Sequence, residues 1–139
     1  MTMNPRQEFK YIRFLRCVTL TVTMLAGSIA LAEALKEIDV AAAAIQIQDK
    51  QIKVLDVREP SEFATGVIQG AVLIPLGQVE KRVAELDAFK DQPMLVVCGS
   101  GGRSAEAIKA LNKYGFRQLT NIKGGMNAWR KAKLPVVAP

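Results

Sequence analysis

The sequence predicts an α/β domain built on a parallel sheet that is covered on both faces. From residue 33 onward, short apolar runs alternate with amphipathic stretches, which is the order expected of strands joined by helical crossovers. The runs at residues 71–74 and 94–97 are continuously apolar, as strands buried on both faces require. A chain of 139 residues has room for one such domain and little else.

Four apolar runs predict strands, at residues 52–57, 71–74, 94–97 and 119–122, and Ile38 marks a fifth, very short one. Functional sites in parallel sheets lie beyond the carboxyl ends of the strands. Cys98 directly follows the third run.

Helices are predicted between these strands. An alanine-rich helix over residues 40–47 begins after Asp39, and a short last helix over residues 124–131 packs Trp129. Helical spacing predicts another helix through Val79, Val83 and Leu86.

The remaining helix follows Cys98. Ser104 is expected to cap it, and Gly115 to end it. Its inward-facing residues are expected to be Ala107, Ile108 and Leu111.

Residues 1–32 predict an export signal. Basic residues precede a charge-free stretch from residue 17 to 32, whose apolar centre has the length of a signal-peptide core. Ala30-Leu31-Ala32 offers small residues where signal peptidase reads them, so we expect cleavage before Glu33 and a mature domain over residues 33–139. This predicts a periplasmic or otherwise exported protein.

Two alternatives to a cleaved signal stay open. The first is an uncleaved membrane anchor over residues 17–32, although these 16 uncharged residues fall short of the ~20 apolar residues that span a bilayer. The second is an ordinary buried helix. Contact with a membrane is expected only if the segment is retained.

The positive charge of the chain does not predict a nucleic-acid-binding surface. Half of the formal net charge of +6 falls within residues 1–32, and the rest is spread over the domain without a basic run. We expect no nucleic-acid partner.

The chain has two cysteines and no histidine. Cys17 lies in the segment expected to be removed, which leaves Cys98 alone in a compartment where thiols tend to be paired. Such a leftover cysteine is an intermolecular partner or a reactive thiol. No second cysteine or histidine is present to build a zinc site or a Cys-x-x-Cys pair, so we expect no metal site.

The loop that follows the third strand carries the groups that a reactive thiol needs. Only the thiolate is a good nucleophile, and both a helix N-terminus and Arg103 favour that anion. Three glycines leave the backbone free to turn its N–H groups toward the sulfur. We therefore expect Cys98 to be the catalytic nucleophile and the rest of the loop to bind substrate: Gly99, Ser100, Gly101, Gly102, Arg103 and Ser104.

Two other interpretations of this loop are weaker. Free cysteine is often buried for structural reasons alone, but a structural cysteine does not need a glycine-rich loop, an arginine and a helix start. A nucleotide phosphate loop is disfavoured because the Gly-x-x-x-x-Gly-Lys-Ser/Thr pattern is missing.

The loop resembles the active-site loop of rhodaneses, the thiosulfate sulfurtransferases, in its pattern Cys98-x-x-Gly101-x-Arg103-Ser104. The resemblance extends over most of residues 34–135. The stretches that resemble family signatures are Asp56-Val57-Arg58-Glu59-Pro60-x-Glu62-Phe63, Gly66-x-Ile68-x-Gly70-Ala71-x-x-Ile74-Pro75-Leu76, Gly115-Phe116, and Asn121-Ile122-x-Gly124-Gly125 with Trp129.

The resemblance implies a five-stranded parallel sheet flanked by helices, which this family shares with certain cell-cycle phosphatases. Loop length separates the two groups: Cys98 to Arg103 spans six residues, as in rhodaneses, whereas the phosphatases resemble Cys-x5-Arg. An arsenate or phosphate enzyme on this fold is therefore a disfavoured alternative.

The resemblance also implies a covalent mechanism that needs no cofactor. The Cys98 thiolate would take sulfur from a small donor such as thiosulfate, and an acceptor, cyanide or a thiol, would remove it from the persulfide. A different class of function stays open: a non-catalytic persulfide carrier or redox-sensing module.

The sequence leaves the roles of Val67 and Arg58 open. Many rhodaneses have a histidine before the isoleucine of the second signature, and this chain has Val67 there. Arg58, paired with Asp56, is a further substrate-binding candidate because it could guide an anionic donor; the alternative is a structural ion pair at the end of a strand.

Overall fold

The computed structural model describes residues 34–49 and 52–139. The predicted export segment, with Cys17, lies outside the described residues. Within residues 34–49 and 52–139, no helix is long and apolar enough to cross a membrane.

The domain is built on one sheet of five strands. In chain order, the strands are β1 (Glu37–Ile38), β2 (Lys53–Asp56), β3 (Val72–Leu73), β4 (Met94–Val97) and β5 (Leu119–Ile122). They lie in the order β1-β5-β4-β2-β3, and every pair of neighbours is parallel. The predicted α/β fold with a five-stranded parallel sheet is confirmed.

The described residues form four α-helices, of which the first three connect strands and the last follows β5: α1 (Val40–Gln48), α2 (Pro60–Phe63), α3 (Gly102–Lys113) and α4 (Gly125–Lys131). Asp39 caps α1 as predicted, accepting a hydrogen bond from the Ala42 N–H at 2.9 Å. Helix α2 was not predicted; it is a single turn that begins at a proline.

The helix predicted through Val79, Val83 and Leu86 is wrong. Two 3-10 helices, Leu76–Gln78 and Val83–Phe89, occupy this stretch instead. Val83, Leu86 and Phe89 are three residues apart, a spacing that brings side chains together in both types of helix. The apolar pattern therefore could not tell one type from the other.

Alternate strand residues build two cores on opposite faces of the sheet. On one face, Leu55 and Val96 pack with α3 and the 3-10 segments. On the other face, Val54 and Leu95 pack with α1 and α4, including the buried Trp129. Strands covered in this way hold their carboxyl ends in fixed positions, and Cys98 lies at one of them.

Candidate active site

Cys98 is the first residue after β4, and it is 1% exposed. Its sulfur accepts a hydrogen bond from the backbone N–H of Gly101 at 3.0 Å, and the hydroxyl of Ser104 lies 3.4 Å from it. The sulfur is thus enclosed by donors from its own loop and from the first turn of α3.

These donors favour the thiolate. Burial of the thiol raises its pKa, but hydrogen bonds from the Ser104 hydroxyl and from the backbone N–H groups of Ser104, Gly101 and Ser100 outweigh burial. The pKa of Cys98 therefore lies below its ordinary value. A lowered thiol pKa increases the share of the thiolate, which is the form that acts as a nucleophile.

The start of α3 differs from the prediction that Ser104 caps it. The helix begins at Gly102, and Gly101 is the N-cap residue, with φ at +109° in the left-handed region. This conformation suits glycine and turns the Gly101 N–H toward the sulfur. Ser104 lies inside the first turn, where its hydroxyl is free to face Cys98 and the sheet.

The N-terminus of α4 holds the outer side of the loop. The N–H groups of Met126 and Asn127 donate to the carbonyl oxygens of Cys98 and Gly99, at 2.8 and 2.9 Å. Gly125 makes this approach possible, because a Cβ there would overlap the Cys98 carbonyl oxygen. With these two carbonyls bound on the outside, the loop has its N–H groups available for the sulfur.

Arg103 lies at the rim of the site and is paired. Its guanidinium makes two hydrogen bonds to the Glu62 carboxylate, at 2.6 and 2.9 Å, and both side chains are about one-third exposed. The pairing lowers the pKa of Glu62 to about 2 and raises that of Arg103, and a Cys98 thiolate would raise the pKa of Arg103 further. The charge of Arg103 therefore acts on the Cys98 sulfur through space and is partly offset by Glu62.

The other predicted loop residues differ in how far they are exposed. Gly99 is half-buried beneath Arg103, whose Nη2 atom would lie 3.2 Å from a Cβ on this glycine. Ser100 and Gly102 are exposed at the mouth of the loop, and nothing lies within 4 Å of a Cβ on Gly102.

The structure does not support Arg58 as a substrate-binding residue. Its side chain is 1% exposed and forms an ion pair with the buried Asp56 at 2.6 Å. The guanidinium also donates to the carbonyl oxygens of Glu62 and Gly66, at 3.1 and 2.9 Å. With its donors turned inward, Arg58 holds the segment that carries Glu62. The Asp56–Arg58 pair is therefore a structural ion pair at the end of β2.

Val67, at the position of the family histidine, is buried. Its backbone forms an antiparallel bridge with Val137, with both N–H···O distances at 2.9 Å. This position therefore brings an apolar side chain and no titratable group.

Sequence reasoning missed three polar residues that the fold brings to the loop. Glu62 reaches Arg103, and Asn121, on β5, accepts a hydrogen bond from the Ser104 hydroxyl at 2.6 Å. Glu37, on β1, accepts one from the Asn121 amide at 2.8 Å. The sequence holds one clue to Asn121. It is a polar residue within a run that is predicted to be a buried strand, and a buried polar side chain needs a hydrogen-bond partner.

Known proteins resemble this chain in sequence and in fold. Residues 39–132 match the model of the rhodanese-like domain. A sulfurtransferase of Allochromatium vinosum is 34% identical over 104 residues, which are 74% of this chain and 95% of that one. YrkF of Bacillus subtilis, whose name proposes a sulfur carrier, is 41% identical over 81 residues, or 58% of this chain and 43% of that one.

A solved structure agrees as well. The rhodanese-related protein of Thermoplasma volcanium superimposes with a TM-score of 0.66 at 31% identity, over 75% of this chain and 99% of that one. The fold, the Cys98 loop and the matched residues lead to one conclusion: this chain belongs to the rhodanese-like domain family, and its relatives include sulfurtransferases.

Proposed function

We propose that this protein is a thiosulfate sulfurtransferase that carries the transferred sulfur as a persulfide on Cys98. The observation that carries the proposal is the environment of Cys98, a buried sulfur with a lowered pKa, enclosed by N–H and O–H donors in a six-residue loop.

The reaction has two displacement steps. The Cys98 thiolate attacks the outer sulfur of thiosulfate; a new S–S bond forms, the bond to the sulfonate sulfur breaks, and sulfite leaves with that electron pair. Cyanide or a thiolate then attacks the outer sulfur of the persulfide, which yields thiocyanate or a new persulfide and returns the Cys98 thiolate.

The loop supports both steps by holding negative charge. The N–H groups near the sulfur stabilise the thiolate before attack and the persulfide anion after it, because donors that are already oriented need no rearrangement. Arg103, at the rim, attracts the anionic donor. Ser100 and Gly102 are exposed and small, and so present little bulk to an approaching donor.

Mass spectrometry tests this proposal directly. Thiosulfate should add about 32 mass units, one sulfur atom, to the peptide that contains Cys98, and cyanide should remove it as thiocyanate. Cys98→Ser should abolish both steps, because a serine hydroxyl without a neighbouring base stays protonated. Cys17→Ser is the matched control and should keep both. Turnover by folded Cys98→Ser would refute the proposal.

A persulfide carrier is the second candidate, and the similarity to YrkF favours it. A carrier would form the Cys98 persulfide with a single equivalent of donor but show negligible steady-state turnover with cyanide. The ratio of the single-turnover rate to the steady-state rate therefore separates the two functions.

We also propose that the protein is exported, on the pattern of basic, apolar and small residues in residues 1–32. N-terminal sequencing of the protein from the exported fraction should begin at Glu33. Recovery of the intact chain in membranes would support the anchor instead.

A further inference from the structure

The hydroxyl of Ser104 has one proton and three acceptors within reach. The Cys98 sulfur lies 3.4 Å from its oxygen, the Gly101 carbonyl oxygen 3.0 Å, and the Asn121 Oδ1 atom 2.6 Å. A hydroxyl donates one hydrogen bond at a time. The shortest of the three distances, to Asn121, favours donation of the proton to that acceptor.

The Asn121 amide cannot exchange its oxygen and nitrogen to relieve this competition. Its Nδ2 group donates to the Glu37 carboxylate at 2.8 Å and approaches the Gly101 carbonyl oxygen at 3.3 Å. Both partners accept hydrogen bonds and donate none. A flipped amide would set its oxygen against two other oxygens, so Oδ1 must face Ser104.

We propose that Asn121 is a positioning residue that competes with the Cys98 sulfur for the single hydroxyl proton of Ser104. When the sulfur is neutral, the proton is donated to Asn121. When the sulfur becomes an anion, the O–H bond rotates toward it, because hydrogen bonds to charged groups are the stronger ones. Asn121 thus holds the Ser104 oxygen in place and limits how far this hydroxyl favours the thiolate.

This inference rests on the proposed function only in taking the Cys98 thiolate as the reactive form. The charged side chains that act on the loop are Arg103 on α3, Glu62 on α2, Glu59 at the N-cap of α2, and Glu37 on β1. The Asp56–Arg58 pair at the end of β2 is buried and compensated. Asn121 itself is uncharged and 1% exposed, so its replacement by an apolar residue changes the hydrogen bond without adding or removing a charge.

The test is the pH profile of Cys98 alkylation in the full chain carrying Cys17→Ser. Asn121→Leu should free the Ser104 hydroxyl and move the midpoint to lower pH by about one unit, a tenfold gain in thiolate at acidic pH. Ser104→Ala should move it to higher pH. The double variant Asn121→Leu/Ser104→Ala should have the same midpoint as Ser104→Ala, because without the hydroxyl Asn121 and the sulfur have no proton to compete for.

Two results would overturn the inference: a midpoint that rises in Asn121→Leu, or an equal shift with and without Ser104. If Asn121→Leu does not fold, the exposed Glu37 provides the second pair of variants. Glu37→Ala removes the acceptor that orients the amide and should lower the midpoint by a smaller amount, whereas Glu37→Gln removes the charge, keeps an acceptor and should lower it less. Coincident profiles for these two variants would also overturn the inference.

Alkylation measures the thiol alone, so this test is independent of sulfur transfer. Variants that shift the profile as expected in a protein that fails to form a persulfide from thiosulfate would contradict the proposed function and leave the role of Asn121 standing.

Discussion

Gly125→Ala should displace the Cys98 loop from its outer side, without a direct contact with the sulfur. Gly125 has φ at +56°, and a Cβ there would overlap the Cys98 carbonyl oxygen and lie 2.7 Å from the carbonyl carbon and oxygen of Gly99. These contacts are with backbone, which cannot rotate away as a flexible side chain can. The loop and the N-terminus of α4 must therefore move apart.

The size of the effect follows from what this movement breaks. A left-handed alanine costs about 1–2 kcal/mol. Loss of the hydrogen bonds from Met126 and Asn127 to the loop carbonyls costs about 1 kcal/mol each. We expect the free energy of unfolding to fall by about 3–4 kcal/mol. A loop displaced by about 1 Å should slow persulfide formation by roughly a hundredfold.

Gly70→Ala is the matched control. Gly70 also has a positive φ, +74°, but nothing lies within 4 Å of a Cβ there. Gly70→Ala should therefore lower the free energy of unfolding only by the backbone cost, about 1–2 kcal/mol, and keep the rate of persulfide formation. Urea denaturation and single-turnover mass spectrometry measure the two quantities. Equal losses of stability in the two variants, with unchanged rates in both, would refute the role assigned to α4.

Three further predictions concern the charged residues and the loop length. Arg58→Met leaves Asp56 buried without a partner and should lower the free energy of unfolding by about 3–5 kcal/mol, whereas the double variant Asp56→Leu/Arg58→Met should recover much of the loss. If the double variant is no more stable than the single one, the unpaired charge is not the cause. The pKa of Glu62 is lowered from 4.5 to about 2, so its pairing with Arg103 stabilises the fold above pH 4.5 and is lost as the pH falls toward 2. The stability difference between wild type and Glu62→Gln should shrink over that window, and a pH-independent difference would contradict the pairing. A glycine inserted between Gly102 and Arg103 should slow sulfur transfer, and a folded insertion variant with unchanged thiosulfate activity would show that loop length does not determine the substrate.

Local patterns in the sequence were enough to predict most of the architecture. Short apolar stretches that include polar residues located β2 and β5. A continuous apolar run located β4, because a strand covered on both faces has no polar side to interrupt it. The same pattern put Cys98 at the carboxyl end of β4, ahead of a helix and within a glycine-rich loop. These features depend on residues that are close together in the sequence, so they can be predicted without knowledge of the fold.

The pairings between distant residues were decided by the tertiary structure alone. Arg103 meets Glu62 across 41 positions, and Asn121 meets Glu37 across 84. The first contact depends on β2 lying beside β4, and the second on β1 lying beside β5; no local pattern specifies either pairing.

Arg58 and Ser104 show that residue type and sequence position alone do not determine the role of a side chain. Each has the residue type and the location of a substrate-binding or capping group. Arg58 nevertheless turns inward, because Asp56 is already buried beside it and a buried carboxylate needs a partner. Ser104 lies within the first turn of α3 because the left-handed Gly101 starts that helix earlier. The direction in which a side chain points depends on what the fold has already buried around it, and that was decided only by the tertiary structure.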